Sequence, residues 1–599
     1  MIAASLTALG RRCPPAVLAA LLALLSACGQ PENADPFDLI VRGGTIYDGS
    51  GTPGYTGDVA IRGDRIAYVG PRAPGPAARI IDARGRAVAP GFINLLSWSN
   101  EALLHDGLGQ SVLRQGVTLE VMGEGFSMGP LTPAMREQMI ARQRDIRYAV
   151  DWTTLGEYLE TLERRGVAPN VASYLGAATA RMMVLGTDDV DPTPDQLDRM
   201  RAVVRQAMED GALGVASSLI YPPGVYAETD ELVALAGQAG RCGGLYATHL
   251  RSEGDRFLEA VDEAIAIGRR AATPVQIFHL KVGGRHNWPK MADAVARIEA
   301  ARAAGIRVTT DMYVYDASGT ALTASMPPWV QAGGFAAMAE RLADPSVRRR
   351  VIADMRAASP GWDNIMAMAG GPDRVMLAAV GSDALKPLIG QTIAQIARDA
   401  GKTPEDALVD LVLADGGRPA AVYFTMSEDT IRDLVGLPYM SFASDGVAMA
   451  PEGDFLKSNT HPRSYGNFAR VFARYVRELE LLGVAEAVRR MTALPADVLA
   501  LADRGRLRVG HAADVVVFDP DAIQDHATYV SPHRFATGVD TVLVNGVLAL
   551  EDGAPTGATP GRVVRGRAWR GFADGGCRAA SSDWRWAWPA RGEGSGRPR

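Results

Sequence analysis

Gly244-Leu-Tyr-Ala-Thr-His249 and Pro274-Val-Gln-Ile-Phe-His279 decide the fold. Each is a short apolar run that reads as a buried strand and stops at a histidine. The two histidines lie about thirty residues apart, in a chain that has only eight, so they read as matching positions on successive βα units. A third run, Tyr439-Met-Ser-Phe-Ala-Ser-Asp445, ends the same way in an aspartate. Histidine, histidine and aspartate at strand C-termini, gathered at the open end of a β/α barrel, would form a metal-hydrolase centre.

Working outward, five more runs have strand character: Gly91–Trp98, Val117–Met122, Asn170–Leu175, Leu213–Leu219 and Arg307–Tyr313. With the three above they make eight, alternating with helical stretches. One helix is well marked: Thr193 as N-cap, Pro194 at the first position, Gln196 completing a capping box, and Gly211 as the stop. Leu197, Met200, Val203, Val204, Ala207 and Met208 form its apolar face. Between the seventh and eighth strands lie residues 320–438, too many for a βα loop. They are expected to form an insertion over the barrel mouth, a candidate lid.

Both ends of the chain are strand-rich. Asp38-Leu-Ile-Val-Arg42 runs into Gly43-Gly44, a turn dipeptide, and Thr541–Leu550 contains an Asn545-Gly546 hairpin turn. The expected fold class is α/β: a TIM-like (β/α)8 barrel with a small β-sandwich domain formed by both termini. The boundaries are 29–88 and 501–570 for the β domain and 89–500 for the barrel with its insertion. Residues 571–599 form an irregular tail in which Trp584, Trp586 and Trp588 alternate with Arg and Ala.

Residues 1–28 are expected to be a signal peptide. Arg11 and Arg12 precede an apolar stretch from Ala16 to Leu25, too short to span a bilayer. It ends Leu25-Ser-Ala-Cys28, which resembles a bacterial lipobox and implies lipidation of Cys28. The expected location is the cell envelope, facing the periplasm. Gly29 rather than Asp after the cysteine favours the outer membrane, with the lipid as the membrane contact. Cys13 leaves with the signal, and Cys242 and Cys577 are expected as two free structural thiols. A net charge of −6 with no basic stripe and no zinc-finger spacing excludes nucleic acid as a partner.

A catalytic zinc takes three protein ligands and keeps one position open. His249 and His279 supply two nitrogens, and Glu124 in Met122-Gly-Glu-Gly, just past the second strand, is the third candidate. Spacing of two puts Leu245, Ala247 and His249 on one strand face, and likewise Val275, Ile277 and His279. Asp445 is placed to move a proton between water and a leaving nitrogen. Each has a plainer role open to it: a hydrogen-bonded structural histidine, a Gly-Glu-Gly turn, an aspartate N-cap.

These residues sit in Ala89-Pro-Gly-Phe-Ile93, Tyr221-Pro-Pro-Gly-Val-Tyr-Ala227, Tyr246-Ala-Thr-His-Leu-Arg-Ser-Glu253, His279-Leu-Lys281, Ser444-Asp-Gly446 and His461-Pro-Arg-Ser-Tyr-Gly466. The set resembles the N-acyl-D-amino-acid deacylase (D-aminoacylase) family of the amidohydrolase superfamily, from about residue 37 to residue 566. The resemblance implies one zinc per chain, on His249, His279 and Glu124, with Asp445 as general acid/base. It implies that Lys281, Tyr313 (or Tyr315) and Arg463 hold the carboxylate of a small N-acyl-D-amino acid, a task suited to Lys and Arg. The implied reaction is amide hydrolysis by a zinc-bound hydroxide.

Three departures stand out. The superfamily's strand-one His-x-His is replaced by Leu96 and Trp98, which removes a second metal site. Glu124 falls where D-aminoacylases carry a metal-binding cysteine. No lysine sits on strand four to bridge two metals. Hydrolysis of D-residue dipeptides or cyclic amides, and a non-catalytic binding lipoprotein, are the alternatives.

Overall fold

The computed structural model describes residues 36–357, 361–569 and Cys577. The lipobox cysteine Cys28 and the three tail tryptophans lie outside the described residues.

Eight strands form the barrel: Phe92–Ser97, Val117–Met122, Asn170–Ser173 continuing as Leu175–Gly176, Gly214–Ser218, Leu245–His249, Val275–Ile277, Val308–Met312 and Met440–Phe442. Neighbours pair in parallel, in chain order. The ring closes between the eighth strand and the first, where Ser97 bridges to Gly446, Trp98 N donates to Gly446 O at 2.8 Å and Asp445 N donates to Leu96 O at 3.0 Å. These strands are buried along their whole length because helices cover the outside and side chains fill the inside. Leu96, Tyr174, Ala247, Phe278 and Ala443 belong to the inner apolar cluster.

The helix Pro194–Asp210 has the expected capping box, stops at Gly211 with φ 114°, and buries Met200, Val204, Ala207 and Met208 against the barrel. After strand seven the chain builds a three-stranded antiparallel sheet from Ser318–Ala321, Val375–Ala379 and Ala420–Tyr423. This sheet and its helices have an apolar core of their own, including Leu322, Met338, Val351, Leu408 and Tyr423. Segments from both chain ends share a nine-stranded sheet, joined where Ala87–Pro90 pairs antiparallel with Val515–Phe518.

Two expectations are corrected. Gly43-Gly44 is not a turn: Phe37–Ile46 is one continuous strand, and its register with Tyr55–Arg62 shifts between Val41 and Gly44. Glycine at φ 72° lets the chain absorb an extra residue as a bulge. Asn545-Gly546, at φ 48° and 81°, does make the tight hairpin. Cys242 and Cys577 are not free thiols but a disulfide. The final segment runs along the underside of the barrel, with Gly561 N bonded to Val167 O, Val564 N to Val171 O and Gly566 N to Gly211 O. That path leads toward Cys242, which follows the helix Thr229–Arg241 at the base of strand five. A separation of 335 residues left this proximity invisible in the sequence.

Candidate metal centre

Strand five ends in His249, and His279 follows strand six by two residues. Glu124 follows strand two by two residues, between Gly123 at φ 102° and Gly125 at φ 65°. A Cβ on Gly123 would come within 2.4 Å of Tyr174 O, and one on Gly125 within 2.4 Å of Ser218 Oγ. Gly-Glu-Gly is therefore a close passage that presses the carboxylate onto the barrel rim. His279 at φ 33° and Asp445 at φ 47° are left-handed non-glycine residues, a conformation held only where the surroundings enforce it. Asp311 Oδ1 accepts from His279 N at 2.8 Å and Oδ2 accepts from Gln276 Nε2 at 2.7 Å, which fixes that turn.

Three atoms converge at the centre. His249 Nδ1 is 3.0 Å from His279 Nε2 and 3.2 Å from Glu124 Oε1, and His279 Nε2 is 3.3 Å from Glu124 Oε1. All three residues are buried. Lone pairs this close repel unless a cation or proton lies among them. Tetrahedral coordination with metal–ligand distances of about 2.0–2.2 Å requires ligand atoms about 3.3–3.6 Å apart. The observed triangle is slightly tighter and fits one small divalent ion with an open fourth position. Burial pushes the Glu124 carboxyl up, but hydrogen bonds and charge from His249 and His279 outweigh it and hold its pKa below the ordinary range.

Glu253 stands behind both histidines. Its Oε1 lies 3.5 Å from His249 Nε2 and 3.4 Å from His279 Nδ1, the ring nitrogens that face away from the triangle. These are charge contacts rather than hydrogen bonds: His249 Nε2 has no hydrogen-bond partner among the described residues, and the nearer polar neighbour of His279 Nδ1 is Lys281 Nζ. Burial raises the Glu253 pKa, and the charges of His249, Lys281 and His279 more than reverse this, so an anionic carboxylate faces both rings from behind. Glu253 is the last residue of the quoted Tyr246–Glu253 motif, yet the sequence reading assigned it no role. Its placement depends on a turn that folds Glu253 back under His249.

Lys281 Nζ donates to Glu253 Oε1 and lies 2.8 Å from His279 Nδ1. Arg463 Nη1 is 2.7 Å from Asp445 Oδ2, its Nη2 donates to Gly319 O at 3.2 Å, and its Nε has no hydrogen-bond partner among the described residues. Its guanidinium lies 4.5 Å from the centre of the Tyr313 ring. Tyr313 lines the cavity, while Tyr315 packs deeper, against Arg470 and His461. Tyr313 is thus the tyrosine beside Arg463 and Lys281. Asp445 is not an N-cap, since no helix follows it.

Trp98 enters the centre where the sequence showed only a lost ligand. Its Nε1 lies 3.0 Å from Glu124 Oε2 and 3.0 Å from Asp445 Oδ1. Tyr221 also faces the site, its ring edge-on to His249 at 5.3 Å and its hydroxyl accepting from Thr320 Oγ1 at 2.8 Å. Burial above all raises the Tyr221 pKa well above that of an ordinary phenol, so it remains a donor.

A cavity of about 1290 Å³ opens above these groups. The insertion contributes Ser318–Ala321 and Asp363 to its wall, and Phe126, Met128, Leu131, Met135 and Met182 line the side above strands two and three. Asp363 joins the insertion to the loop carrying Glu253, accepting from Ser252 Oγ at 2.9 Å and Glu253 N at 2.7 Å.

A barrel with two strand-end histidines, a carboxylate completing a three-donor triangle and an aspartate beside it defines a metal-dependent hydrolase. Residues 79–549 match the model of the amidohydrolase family. The chain is 35% identical over 533 residues to N-acyl-D-glutamate deacylase of Alcaligenes xylosoxydans xylosoxydans, covering 89% of this chain and 97% of that one. It aligns with the zinc- and phosphonate-inhibitor-bound N-acyl-D-glutamate deacylase of Bordetella bronchiseptica at TM-score 0.73 and 30% identity, over 89% of this chain and 100% of that one. A D-aminoacylase with a binuclear metal centre, in which one metal activates and a second attenuates, aligns at TM-score 0.73 and 32% identity, over 88% of this chain and 99% of that one. The chain belongs to the amidohydrolase family, within its N-acyl-D-amino-acid deacylase group.

Proposed function

We propose that this protein hydrolyses the amide bond of N-acyl-D-amino acids with one zinc ion held by Glu124, His249 and His279. The observation that carries this is the buried triangle of two imidazole nitrogens and one carboxylate oxygen at 3.0–3.3 Å. When bound there, zinc supplies Lewis acidity and lowers the pKa of its water to about 7. Asp445, at the rim of the triangle, takes up a proton and returns it to the departing nitrogen.

The carboxylate of the substrate is bound by the guanidinium of Arg463, which lines the cavity beside Tyr313 and Lys281. Tyr221 donates its hydroxyl hydrogen to the acyl oxygen as negative charge builds there. The wall of Phe126, Met128 and Met135 takes an apolar group on the far side of the amide from the cationic residues. D-stereochemistry is drawn from the relatives' substrates.

The test is amine release from N-acetyl-D- and N-acetyl-L-amino acids and D-dipeptides, by protein beginning at residue 29 with zinc supplied. Release confined to the D series, lost on chelation and restored by zinc, is the expected result. Zinc-loaded protein that releases no amine from any of them sinks the proposal.

We also propose that the mature protein is anchored by a lipidated Cys28 and faces the periplasm. The Cys242–Cys577 disulfide suits an oxidising compartment of that kind. Loss of membrane association in a Cys28→Ser variant is the expected outcome; a Cys28→Ser variant that still fractionates with membranes would refute it.

A further inference from the structure

Strand one has lost both histidines that would hold a second metal, but its replacement residues are organised. Leu96 is 1% exposed and fills the inner apolar cluster below the site. Trp98 lies one alternation further along the strand and reaches the centre itself. Its indole N–H points between two carboxylates, at 3.0 Å from each.

Each carboxylate is divided between two tasks. Glu124 turns Oε1 to the histidine pair and Oε2 to Trp98. Asp445 gives Oδ1 to Trp98 and Oδ2 to Arg463. The tryptophan is fixed in turn, because its own backbone N–H closes the barrel seam on Gly446, the residue after Asp445. A continuous set of contacts thus runs from the donor triangle through Trp98 to Asp445 and Arg463.

Charge gives the same result. At the centre of the cavity Glu124, Glu253 and Asp445 face Lys281 and Arg463. An indole N–H contacts Glu124 and Asp445 together without adding charge, where a metal ion in its place would add two.

We propose that Trp98 is a positioning residue that takes the place of a second metal ion. Its N–H holds the metal-binding carboxylate and the proton-transferring carboxylate in a fixed relation, and its ring excludes a second ion. The proposal rests on the one-zinc reading above, and its first readout needs no substrate.

The experiment measures zinc per chain after equilibration with excess zinc, melting temperature, kcat and KM. It compares the protein from residue 29 onward with its Trp98→Phe and Trp98→His variants. The unsubstituted protein is expected to bind one zinc, with activity that does not fall as zinc is raised. Trp98→Phe keeps the ring but not the N–H. It should retain one zinc, the same melting temperature and a KM within about threefold, while kcat falls roughly 10- to 100-fold. Trp98→His offers a new ligand beside Glu124 and Asp445, and should take up more than one zinc and lose activity in excess zinc.

Two zinc ions on the unsubstituted chain, an undiminished kcat in Trp98→Phe, or a single zinc in Trp98→His overturns the proposal. Absence of amine release from every substrate would instead count against the proposed reaction, while the zinc counts would still decide the role of Trp98.

Discussion

At the scale of single residues, Glu253 carries the clearest untested burden. One buried carboxylate oxygen lies within 3.5 Å of the outer nitrogens of both ligand histidines and also accepts from Lys281. Replacing it by glutamine keeps the size and removes the charge that makes both imidazoles better ligands. Zinc affinity in Glu253→Gln should fall about 10- to 100-fold, measured by competition with a chromophoric chelator. An unchanged affinity would mean that the histidines are held by packing alone. The sequence exposed the histidines because each ends a strand-like run, a local pattern that survives without the fold. It did not expose Glu253, which lies in the turn after strand five and whose partners come from the end of that strand and the turn after strand six. Trp98 was legible only as a missing ligand, because a hydrogen bond to residues 26 and 347 positions away has no local pattern at all.

At the scale of elements, strand two shows how the barrel interior supports the site. Its Glu120 is completely buried and accepts from Ser97, Ser99 and Asn94, while Asn94 also bonds Ser444, the neighbour of Asp445. This polar layer ties strands one, two and eight together directly beneath the reacting groups. Burial pushes the Glu120 carboxyl up to about 7 from an ordinary 4.5, more than those three partners pull it down. Below pH 4.5 the carboxyl is protonated in folded and unfolded chains alike, and folding carries no penalty from it. As pH rises from there to about 7 the unfolded chain releases the proton and the folded chain keeps it, so stability falls across that window. Glu120→Gln should therefore flatten the decline in melting temperature between roughly pH 5 and 8, and should melt above the unsubstituted protein at the upper end. Parallel melting curves for the two proteins would rule this out. Asp311 on strand seven, also raised to about 7 by burial, adds a slope of the same sign that would remain in the variant. The eight strands themselves were legible because strands buried on both faces read as uninterrupted apolar runs. The Gly43-Gly44 bulge was not, since a turn and a bulge draw on the same positive φ and differ only in whether pairing resumes in line.

At the scale of the whole molecule, the barrel separates chemistry from fastening. The groups proposed to act on substrate stand at the C-terminal ends of the strands, on loops above them or, for Arg463, at the start of the helix Arg463–Arg470, on the face where barrel enzymes place their sites. The disulfide lies at the other face: Cys242 sits between the helix Thr229–Arg241 and the start of strand five, and the segment 561–569 passes beneath strands three and four on its way toward Cys577. The cross-link closes a loop of 335 residues, so its main effect is to restrict the unfolded chain, by an amount of roughly 2–5 kcal/mol for native disulfides. Because the link is remote from the cavity, that stabilisation should be separable from activity. A Cys242→Ser, Cys577→Ser double variant should melt several degrees lower and become more sensitive to protease near its C-terminus, with kcat/KM and zinc content unchanged within about twofold. A large loss of kcat/KM in well-folded double variant would show instead that the underside of the barrel is coupled to its mouth. The strand ends would then be set partly by what fastens their beginnings.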